Sequence, residues 1–270
     1  MILAAAFAAA ALVAPGINLV AAGDVASCRS TGDEATAALV ARLPGTVAVL
    51  GDSVYEAGTD EEYRRCYAPS WGRFRGRTRP TPGNHEYGTP GAAGYFRYFG
   101  AAAGPRGRGY YAYRLGSWQV VVLNTNCRAA GGCGPGSPQE RWLRGVLASS
   151  PASCTVAYGH HPRLSSGFHG PDRTIQPLWD ALQDAHVELY LAGHDHHYER
   201  FAPSRGLRQF VVGTGGRSTY PILRDLAGSQ AHWAGGYGVL SLRLLEGSYA
   251  WRFVGAPRQE FTDAGSARCV

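Results

Sequence analysis

Several residue types and patterns are missing from this 270-residue sequence, and each absence narrows its possible functions. The sequence contains no lysine, so all 26 basic side chains are arginines, and charged residues make up only 17% of the chain. The net charge of +6 favours anionic ligands. The arginines are scattered rather than collected in basic runs, which argues against nucleic-acid binding. The apolar share of 45% excludes a disordered chain.

No Cys-x-x-Cys pair occurs, so the sequence lacks the usual spacing of a metal-thiolate site. The six cysteines form an even set, which favours disulfides in an oxidising compartment. Sequence alone leaves their connectivity open. We predict the pairs Cys28–Cys66, Cys127–Cys133 and Cys154–Cys269.

The sequence also lacks an apolar run long enough to cross a membrane, so we expect no stable membrane insertion. Residues 2–14 are apolar and small, as in the central region of a signal peptide, although no basic segment precedes them. A buried first helix or strand is the alternative. We predict a signal peptide or its remnant at residues 1–14, a single domain at residues 15–270, and secretion.

Short apolar runs alternate with amphipathic stretches from residue 17 onward, which predicts an α/β fold. The predicted strands are Ile17–Ala22, Thr46–Leu50, Trp118–Leu123, Thr155–Tyr158, Glu188–Ala192, Gln209–Val212, Tyr237–Leu244 and Tyr249–Val254. The predicted helices are Glu34–Leu43, Pro138–Ala148 and Ile175–Ala185. Alternating tyrosines at residues 110–113 indicate a further strand, and two glycine- and proline-rich stretches, Thr81–Gly109 and Gly131–Ser137, are predicted to be loops.

Polar residues follow four of these strands, at the point where each strand ends. Asp24 and Asp52 follow the first two strands, His160 follows a later one, and His194 and His196 follow the next. The carboxyl ends of strands in an open α/β sheet face the ligand-binding crevice, so these side chains are expected in one pocket. A glycine precedes each cluster and allows the backbone to approach a bound ion closely.

These residue types suit a pair of metal ions. Aspartates can bridge two cations, imidazoles bind zinc, iron and manganese, and a tyrosinate suits the ferric ion. Two ions about 3.5–4 Å apart lower the pKa of a bound water and stabilise the attacking and leaving oxygens at phosphorus. Taken alone, Asp24 would be interpreted as a turn residue and Tyr55 as a half-buried aromatic, so the prediction depends on the whole set.

The chain resembles the calcineurin-like metallophosphoesterases, and within that superfamily it is most similar to the purple acid phosphatases. Matching motifs occur in the family's order: Gly23-Asp24, Gly51-Asp52-Ser53-Val54-Tyr55, Gly83-Asn84-His85-Glu86, His160-His161-Pro162 and Gly193-His194-Asp195-His196-His197-Tyr198-Glu199-Arg200. The broader superfamily begins with Asp-x-His, whereas this chain has Ala26 in place of the histidine. The resemblance implies that Tyr55 supplies the missing ligand, which is the feature of the purple acid phosphatases.

The resemblance implies a four-layer α-β-β-α sandwich of two mixed sheets with a binuclear metal centre at one edge. The first ion, expected to be Fe(III), would bind Asp24, Tyr55, His196 and one oxygen of Asp52. The second ion, Fe(II), Zn(II) or Mn(II), would bind the other Asp52 oxygen together with Asn84, His160 and His194. Sequence does not choose among the last three metals.

The implied reaction is hydrolysis of a phosphate monoester by metal-bound hydroxide, as in acid phosphatases. The resemblance gives His85 the role of contacting the phosphate and protonating the leaving alkoxide, and it places a second substrate histidine at His169. The expected partner is a small phosphate ester, with no nucleic acid, and the oligomeric state stays open. Two alternatives remain: a phosphodiesterase or nucleotidase on the same cage, and a catalytically silent binding module.

Overall fold

The computed structural model describes residues 16–149 and 152–269, so the predicted signal peptide lies outside the described residues. The strands are β1 (Ile17–Ala22), β2 (Ala26–Ser27), β3 (Thr46–Leu50), β4 (Val54–Tyr55), β5 (Thr78–Thr81), β6 (Tyr111–Leu115), β7 (Trp118–Val122), β8 (Cys154–Tyr158), β9 (Leu189–Ala192), β10 (Tyr198–Phe201), β11 (Arg208–Val212), β12 (Ser229–Trp233), β13 (Gly238–Leu245), β14 (Ser248–Gly255) and β15 (Ala264–Arg268). The α-helices are α1 (Gly32–Arg42), α2 (Asp60–Glu62), α3 (Ala93–Phe99), α4 (Pro138–Ser149) and α5 (Gln176–Asp184). A π-helical turn at Tyr63–Tyr67 continues α2, and 3₁₀ turns lie at Trp71–Arg77, His85–Gly88, Pro90–Ala92 and Gly100–Ala103.

Two mixed sheets form the centre of the molecule. The six-stranded sheet has the order β15-β14-β13-β1-β3-β5, and the seven-stranded sheet has the order β12-β10-β11-β9-β8-β7-β6. The strands β1, β3 and β5 are parallel to one another, as are β7, β8, β9 and β11. A small parallel pair, β2 and β4, extends from the first sheet toward the candidate site.

Alternating side chains of the central strands fill two different layers. In β8, Val156 and Tyr158 pack into the core between the sheets, whereas Ala157 packs outward with residues of α4 and α5 such as Leu143 and Leu178. The side chains of β7 also alternate between the two layers. Because both faces of each strand are buried, both strands are nearly continuous apolar runs in the sequence. With α1 against the first sheet and α4 and α5 against the second, the predicted four-layer α/β architecture is confirmed.

One predicted loop contains more structure than the sequence indicated. Within Thr81–Gly109, the segment AGYFRYF forms α3, although it was predicted to be irregular because glycine and proline surround it. Its rings pack into an aromatic cluster, with Phe99 against Tyr63 and Tyr67. Burial of these rings therefore outweighs the local signals against a helix.

All three predicted disulfides are confirmed, namely Cys28–Cys66, Cys127–Cys133 and Cys154–Cys269. The first joins the segments after β2 and α2, and the second closes a short loop after β7. The third joins the start of β8 to the residue that follows β15, and so links the two sheets. Among the described residues, no helix has the length and apolarity needed to span a membrane.

Candidate metal centre

The fold brings the predicted ligands together at one edge of the two sheets. Asp24, Asp52 and Asn84 come from segments that follow β1, β3 and β5, which are parallel neighbours in the first sheet. The histidines follow β8 and β9, which are parallel neighbours in the second sheet. Because all these strands end on the same side, side chains far apart in sequence converge.

The first predicted ligand group surrounds the Tyr55 hydroxyl oxygen. That oxygen lies 2.9 Å from Asp24 Oδ1, 3.0 Å from Asp52 Oδ2 and 3.1 Å from His196 Nε2. His196 Nε2 is also 3.3 Å from Asp24 Oδ1. The small strands β2 and β4 pair beside this point. Tyr55 supplies a donor oxygen here, whereas the Ala26 side chain has no atom that could bind an ion.

The second predicted ligand group surrounds His160 Nε2. This nitrogen lies 3.0 Å from Asn84 Oδ1, 3.2 Å from His194 Nδ1 and 3.3 Å from Asp52 Oδ2. His160 is fully buried, whereas Asn84 is exposed and His194 is partly exposed. The second group therefore opens toward solvent on one side.

Asp52 lies between the two groups and connects them. Oδ2 alone faces both groups, and Oδ1 accepts the backbone N–H of His85 at 2.9 Å. A Cβ atom at Gly83 would lie 2.1 Å from Oδ1, so that oxygen is packed closely against backbone. Which Asp52 oxygens would bind each metal therefore stays a prediction.

Hydrogen bonds to the outer ring nitrogens of His160 and His196 leave the Nε2 atom of each facing the site. His160 Nδ1 lies 2.9 Å from the Leu50 carbonyl oxygen, which can only accept, so Nδ1 carries the proton and Nε2 is free to bind an ion. His196 Nδ1 lies 2.7 Å from the Ser218 hydroxyl and leaves its Nε2 near Tyr55. Partners of this kind on the outer nitrogen are typical of metal-binding histidines.

The electrostatics of the site fit positive ions. Burial raises the pKa of Tyr55 well above its usual value, and the carboxylates of Asp24 and Asp52 raise it further. Burial would lower the pKa of His160, but the Asp52 carboxylate raises it to about 10, so that a proton supplies the positive charge. A metal ion would reverse both effects, because it favours the tyrosinate and the neutral imidazole.

The donor set also passes a test of spacing. Neighbouring ligand atoms in each group are 2.9–3.3 Å apart. Ligand bonds of about 2.0–2.2 Å place adjacent N and O donors at about this separation around one ion. The residues present therefore fit two ions that share Asp52, although their roles as ligands remain a prediction.

Both predicted substrate histidines lie beside these groups. His85 Nε2 is 4.0 Å from Asp52 Oδ2, and His85 Nδ1 donates to the Glu56 carbonyl oxygen at 2.6 Å. The His169 ring is exposed and lies 4.3 Å from the His194 ring, measured between centroids. Both imidazoles are therefore placed next to the predicted ligands without joining them.

Three further residues of the site received no role from the sequence. Glu86 is fully buried, and its carboxylate accepts the backbone N–H groups of Asp52 at 3.0 Å, Ser53 at 2.8 Å and Gly83 at 2.6 Å. It therefore holds together the two turns that present Asp52 and Asn84. Its place in the motif was visible in the sequence, but its contacts were not.

The other two are Tyr220 and His161. The Tyr220 ring stacks on the His196 ring at 3.9 Å with an interplanar angle of 6°. His161 lies close enough to His160 and His194 that one nitrogen of each falls within 4.8 Å of the others. Burial lowers the pKa of His161 to about 4, and its Nδ1 pairs with the Thr125 hydroxyl at 2.9 Å. Only the adjacency of His161 to His160 hinted at its position.

Acidic residues of the last motif brace the loop that carries His169. Asp195 accepts the backbone N–H of His169 at 2.8 Å and that of Gly170 at 3.0 Å. Glu199 accepts the Ser166 backbone N–H at 2.9 Å. Arg200, by contrast, pairs with Asp263 near the C-terminus rather than with this loop.

Comparisons with known proteins agree with this geometry. The calcineurin-like phosphoesterase family model matches residues 17–198. An uncharacterised protein of Mycobacterium tuberculosis is 33% identical over an alignment of 165 residues, gaps included, that covers 53% of this chain and 30% of that protein. Purple acid phosphatase 4 of Arabidopsis thaliana is 28% identical over an alignment of 92 residues, gaps included, that covers 31% of this chain and 27% of that protein.

A solved structure adds a comparison of the fold. Purple acid phosphatase PPD1 of yellow lupin (Lupinus luteus) superposes with a TM-score of 0.78 and 16% identity, over 94% of this chain and 54% of that chain. The match to either sequence relative spans less than a third of that protein's length. Together these matches confirm the resemblance to purple acid phosphatases. The chain belongs to the calcineurin-like phosphoesterase family.

Proposed function

We propose that this chain hydrolyses phosphate monoesters at a binuclear metal centre, in the manner of an acid phosphatase. One observation carries the proposal: donor atoms from both sheets converge on Asp52 Oδ2, with Tyr55 on one side and His160 on the other. The proposed ligands are Asp24, Asp52, Tyr55, Asn84, His160, His194 and His196. The fold alone would not carry the proposal, because one fold can serve many functions.

The identities of the ions follow from the chemistry of each donor group. A phenolate with two carboxylates and one imidazole favours a hard trivalent ion, so we assign Fe(III) to the Tyr55 side. The amide and imidazole donors on the Asn84 side suit Fe(II), Zn(II) or Mn(II). When bound, the two ions supply an acidified water and charge stabilisation at phosphorus.

The protein's own residues would position the substrate and move a proton. Because His85 Nδ1 donates to the Glu56 carbonyl, His85 Nε2 is directed to the site and can donate a proton to the leaving oxygen when the ring is charged. His169 is held by Asp195 next to His194, where it can donate to a phosphoryl oxygen. The low exposure of Asp24, Asp52 and Tyr55 limits access of water to the inner side.

We also propose that the protein works outside the cytoplasm. The three disulfides support this compartment, because such bonds are rare where thiols are kept reduced. The expected partner is a small phosphate ester. The scattered arginines and the open site favour neither nucleic acid nor a membrane as a partner.

Metal content and activity test the proposal together. Purified protein is expected to contain about two ions per chain, hydrolyse 4-nitrophenyl phosphate, and act much more slowly on bis(4-nitrophenyl) phosphate. Asp52→Asn is expected to lose both metal and activity. A visible tyrosinate-to-iron absorption band that disappears in Tyr55→Phe would support the iron assignment.

Each alternative has its own outcome in these measurements. Faster hydrolysis of the diester would favour the phosphodiesterase. Full metal occupancy with no turnover of any ester would favour the silent binding module. An active, colourless protein with zinc or manganese in both sites would contradict the iron assignment alone.

A further inference from the structure

A cleft of about 760 Å³ opens beside the proposed second metal site. Asn84 and His161 line it, together with Arg128, Asp172 and Thr174 from two loops. Its size is that of a typical small-molecule pocket, about 300–1,000 Å³. The transferring phosphoryl group would lie among the metal ligands. The alcohol part of a bound phosphate ester would then extend into this cleft.

The first of these loops is attached directly to the proposed metal centre. It begins at Thr125, whose hydroxyl oxygen accepts the backbone N–H groups of His160 at 3.1 Å and His161 at 2.9 Å. The next residue, Asn126, donates from Nδ2 to the carbonyl oxygen of Pro82 at 3.1 Å, two residues before Asn84. The loop therefore has a fixed position relative to both sides of the second metal site.

A disulfide fixes the remainder of this loop. Cys127 and Cys133 close it, and the backbone N–H of Gly132 donates to the Cys127 carbonyl oxygen at 2.7 Å. Arg128 follows Cys127, so its backbone belongs to a closed, hydrogen-bonded turn. A side chain on such a base loses less conformational entropy on binding a ligand than one on a free loop.

The two charged residues of the cleft differ in what they already bind. Asp172 Oδ1 accepts both the backbone N–H of Thr174 at 2.7 Å and its hydroxyl at 2.6 Å, so its carboxylate serves the turn before α5. Arg128 is exposed and has neither an ion pair nor a hydrogen bond with the part of the chain that the structure describes. The cleft thus presents a guanidinium with free donors beside a carboxylate whose Oδ1 already accepts two hydrogen bonds.

We propose that Arg128 selects phosphate esters whose alcohol part carries a second anionic group, a carboxylate or a phosphate. The inference rests on the proposed phosphatase function and adds the substrate class. A guanidinium binds either anion through two parallel hydrogen bonds, and a rigid loop beside the metal site sets where that anion must lie. Esters of neutral alcohols bind the metal centre without this contact.

The test compares two esters that differ only in the second anion: 3-carboxyphenyl phosphate and its neutral carboxamide, 3-carbamoylphenyl phosphate. The wild type is expected to show kcat/KM for the carboxylate ester about tenfold above that for the amide, mainly through KM. Arg128→Gln should reduce this ratio to about one and leave the amide within about twofold of wild type. Higher salt should also reduce the wild-type preference.

Controls separate the failure of this inference from the failure of the proposed function. Arg252→Gln removes an exposed arginine on β14, away from the cleft, and should keep the wild-type ratio. Equal losses on both esters in Arg128→Gln, or no wild-type preference, would overturn the inference while hydrolysis itself continued. If neither ester is hydrolysed, the proposed function fails. In that case, calorimetry on the phosphonate analogues of the two esters still tests Arg128. Equal affinities of the wild type for the carboxylate and the carboxamide analogue would overturn its role.

Discussion

Three of the proposed ligands have a backbone conformation that side chains rarely adopt. Asp24, Asp52 and His194 have φ angles of 61°, 45° and 71°, in the left-handed region. Such residues carry about 1–3 kcal/mol of strain each and tend to cluster at functional sites. The neighbouring structure enforces the turns: for example, the His194 backbone N–H donates to Asp24 Oδ2 at 2.9 Å. Backbone strain and ligand position therefore arise together at these strand ends.

His85 provides the sharpest prediction for a single residue. If its Nε2 protonates the leaving oxygen, His85→Ala should keep its metal and lose about a hundredfold in kcat on an alkyl phosphate. The loss should be less than tenfold on 4-nitrophenyl phosphate, because 4-nitrophenolate leaves without a proton. Metal analysis and steady-state kinetics on both esters measure this difference.

The matched control is His232→Ala, which removes an exposed histidine on β12 and should change neither ester. Equal losses on the two esters would show that His85 binds phosphate rather than donating a proton. Unchanged turnover on the alkyl ester would remove both roles.

At the scale of elements, α1 contains a buried carboxyl group that makes stability depend on pH. Asp33 lies in the first turn, accepts a hydrogen bond from the Ser70 hydroxyl at Oδ2, and has no partner at Oδ1 among the described residues. Burial raises the pKa of Asp33 to about 7. The folded chain thus holds this proton more tightly than the unfolded chain, whose pKa is about 3.9. Its stabilising effect is complete below about pH 4 and is lost as the pH rises through 7.

Asp33→Asn should remove this dependence, because the amide does not titrate. The difference in the free energy of unfolding, variant minus wild type, is expected to become more positive by up to about 4 kcal/mol from pH 4 to pH 8. Urea unfolding at the two pH values measures the change. The control Asp60→Asn alters an exposed carboxylate that pairs with Arg97, and should lack a gain of this size and sign. The same difference at both pH values would contradict the raised pKa.

Sequence predicted most inner strands, although it missed β10 in the second sheet, and it indicated only β6 among the four strands at the edges of the two large sheets. The eight predicted strands end within one residue of their observed bounds. Six of them form parallel pairs and are nearly unbroken apolar runs, whereas β13 and β14 are long antiparallel strands in which exposed positions interrupt the buried ones. The strands β5, β12 and β15 lie at sheet edges and were not predicted. β5 contains Pro80, which is tolerated at an edge but resembles a strand breaker in sequence, and β15 (AGSAR) has almost no apolar signal.

The predictability of the site follows a similar rule. Ligands directly after apolar strands could be found, because strand ends and ligand chemistry are both local signals. Tyr220 and Arg128 could not be assigned in this way, because each reaches the site through a long loop without regular spacing. The role of Glu86 depends on hydrogen bonds to two separate turns, which exist only after the sheet has formed.

At the scale of the whole molecule, β8 is tied to the opposite sheet at both ends. Cys154 begins the strand and is bonded to Cys269, which follows β15. His160 follows the other end and meets Asp52 from the first sheet at 3.3 Å. The disulfide and the proposed metal centre thus hold the two sheets together from opposite ends of one strand.

The lengths of the closed loops predict how much each disulfide contributes to stability. Cys154–Cys269 spans 115 residues and Cys127–Cys133 only 6. Loop-closure entropy then gives about 5 kcal/mol for the first and about 2 kcal/mol for the second. Cys154→Ala/Cys269→Ala should therefore lower the free energy of urea unfolding by about 2–3 kcal/mol more than Cys127→Ala/Cys133→Ala. Because its disulfide lies far from the ligands, the first variant should keep its metal when folded. Equal stabilities of the two variants would contradict the loop-length argument, and metal lost from the folded first variant would show that the two ends of β8 do not act independently.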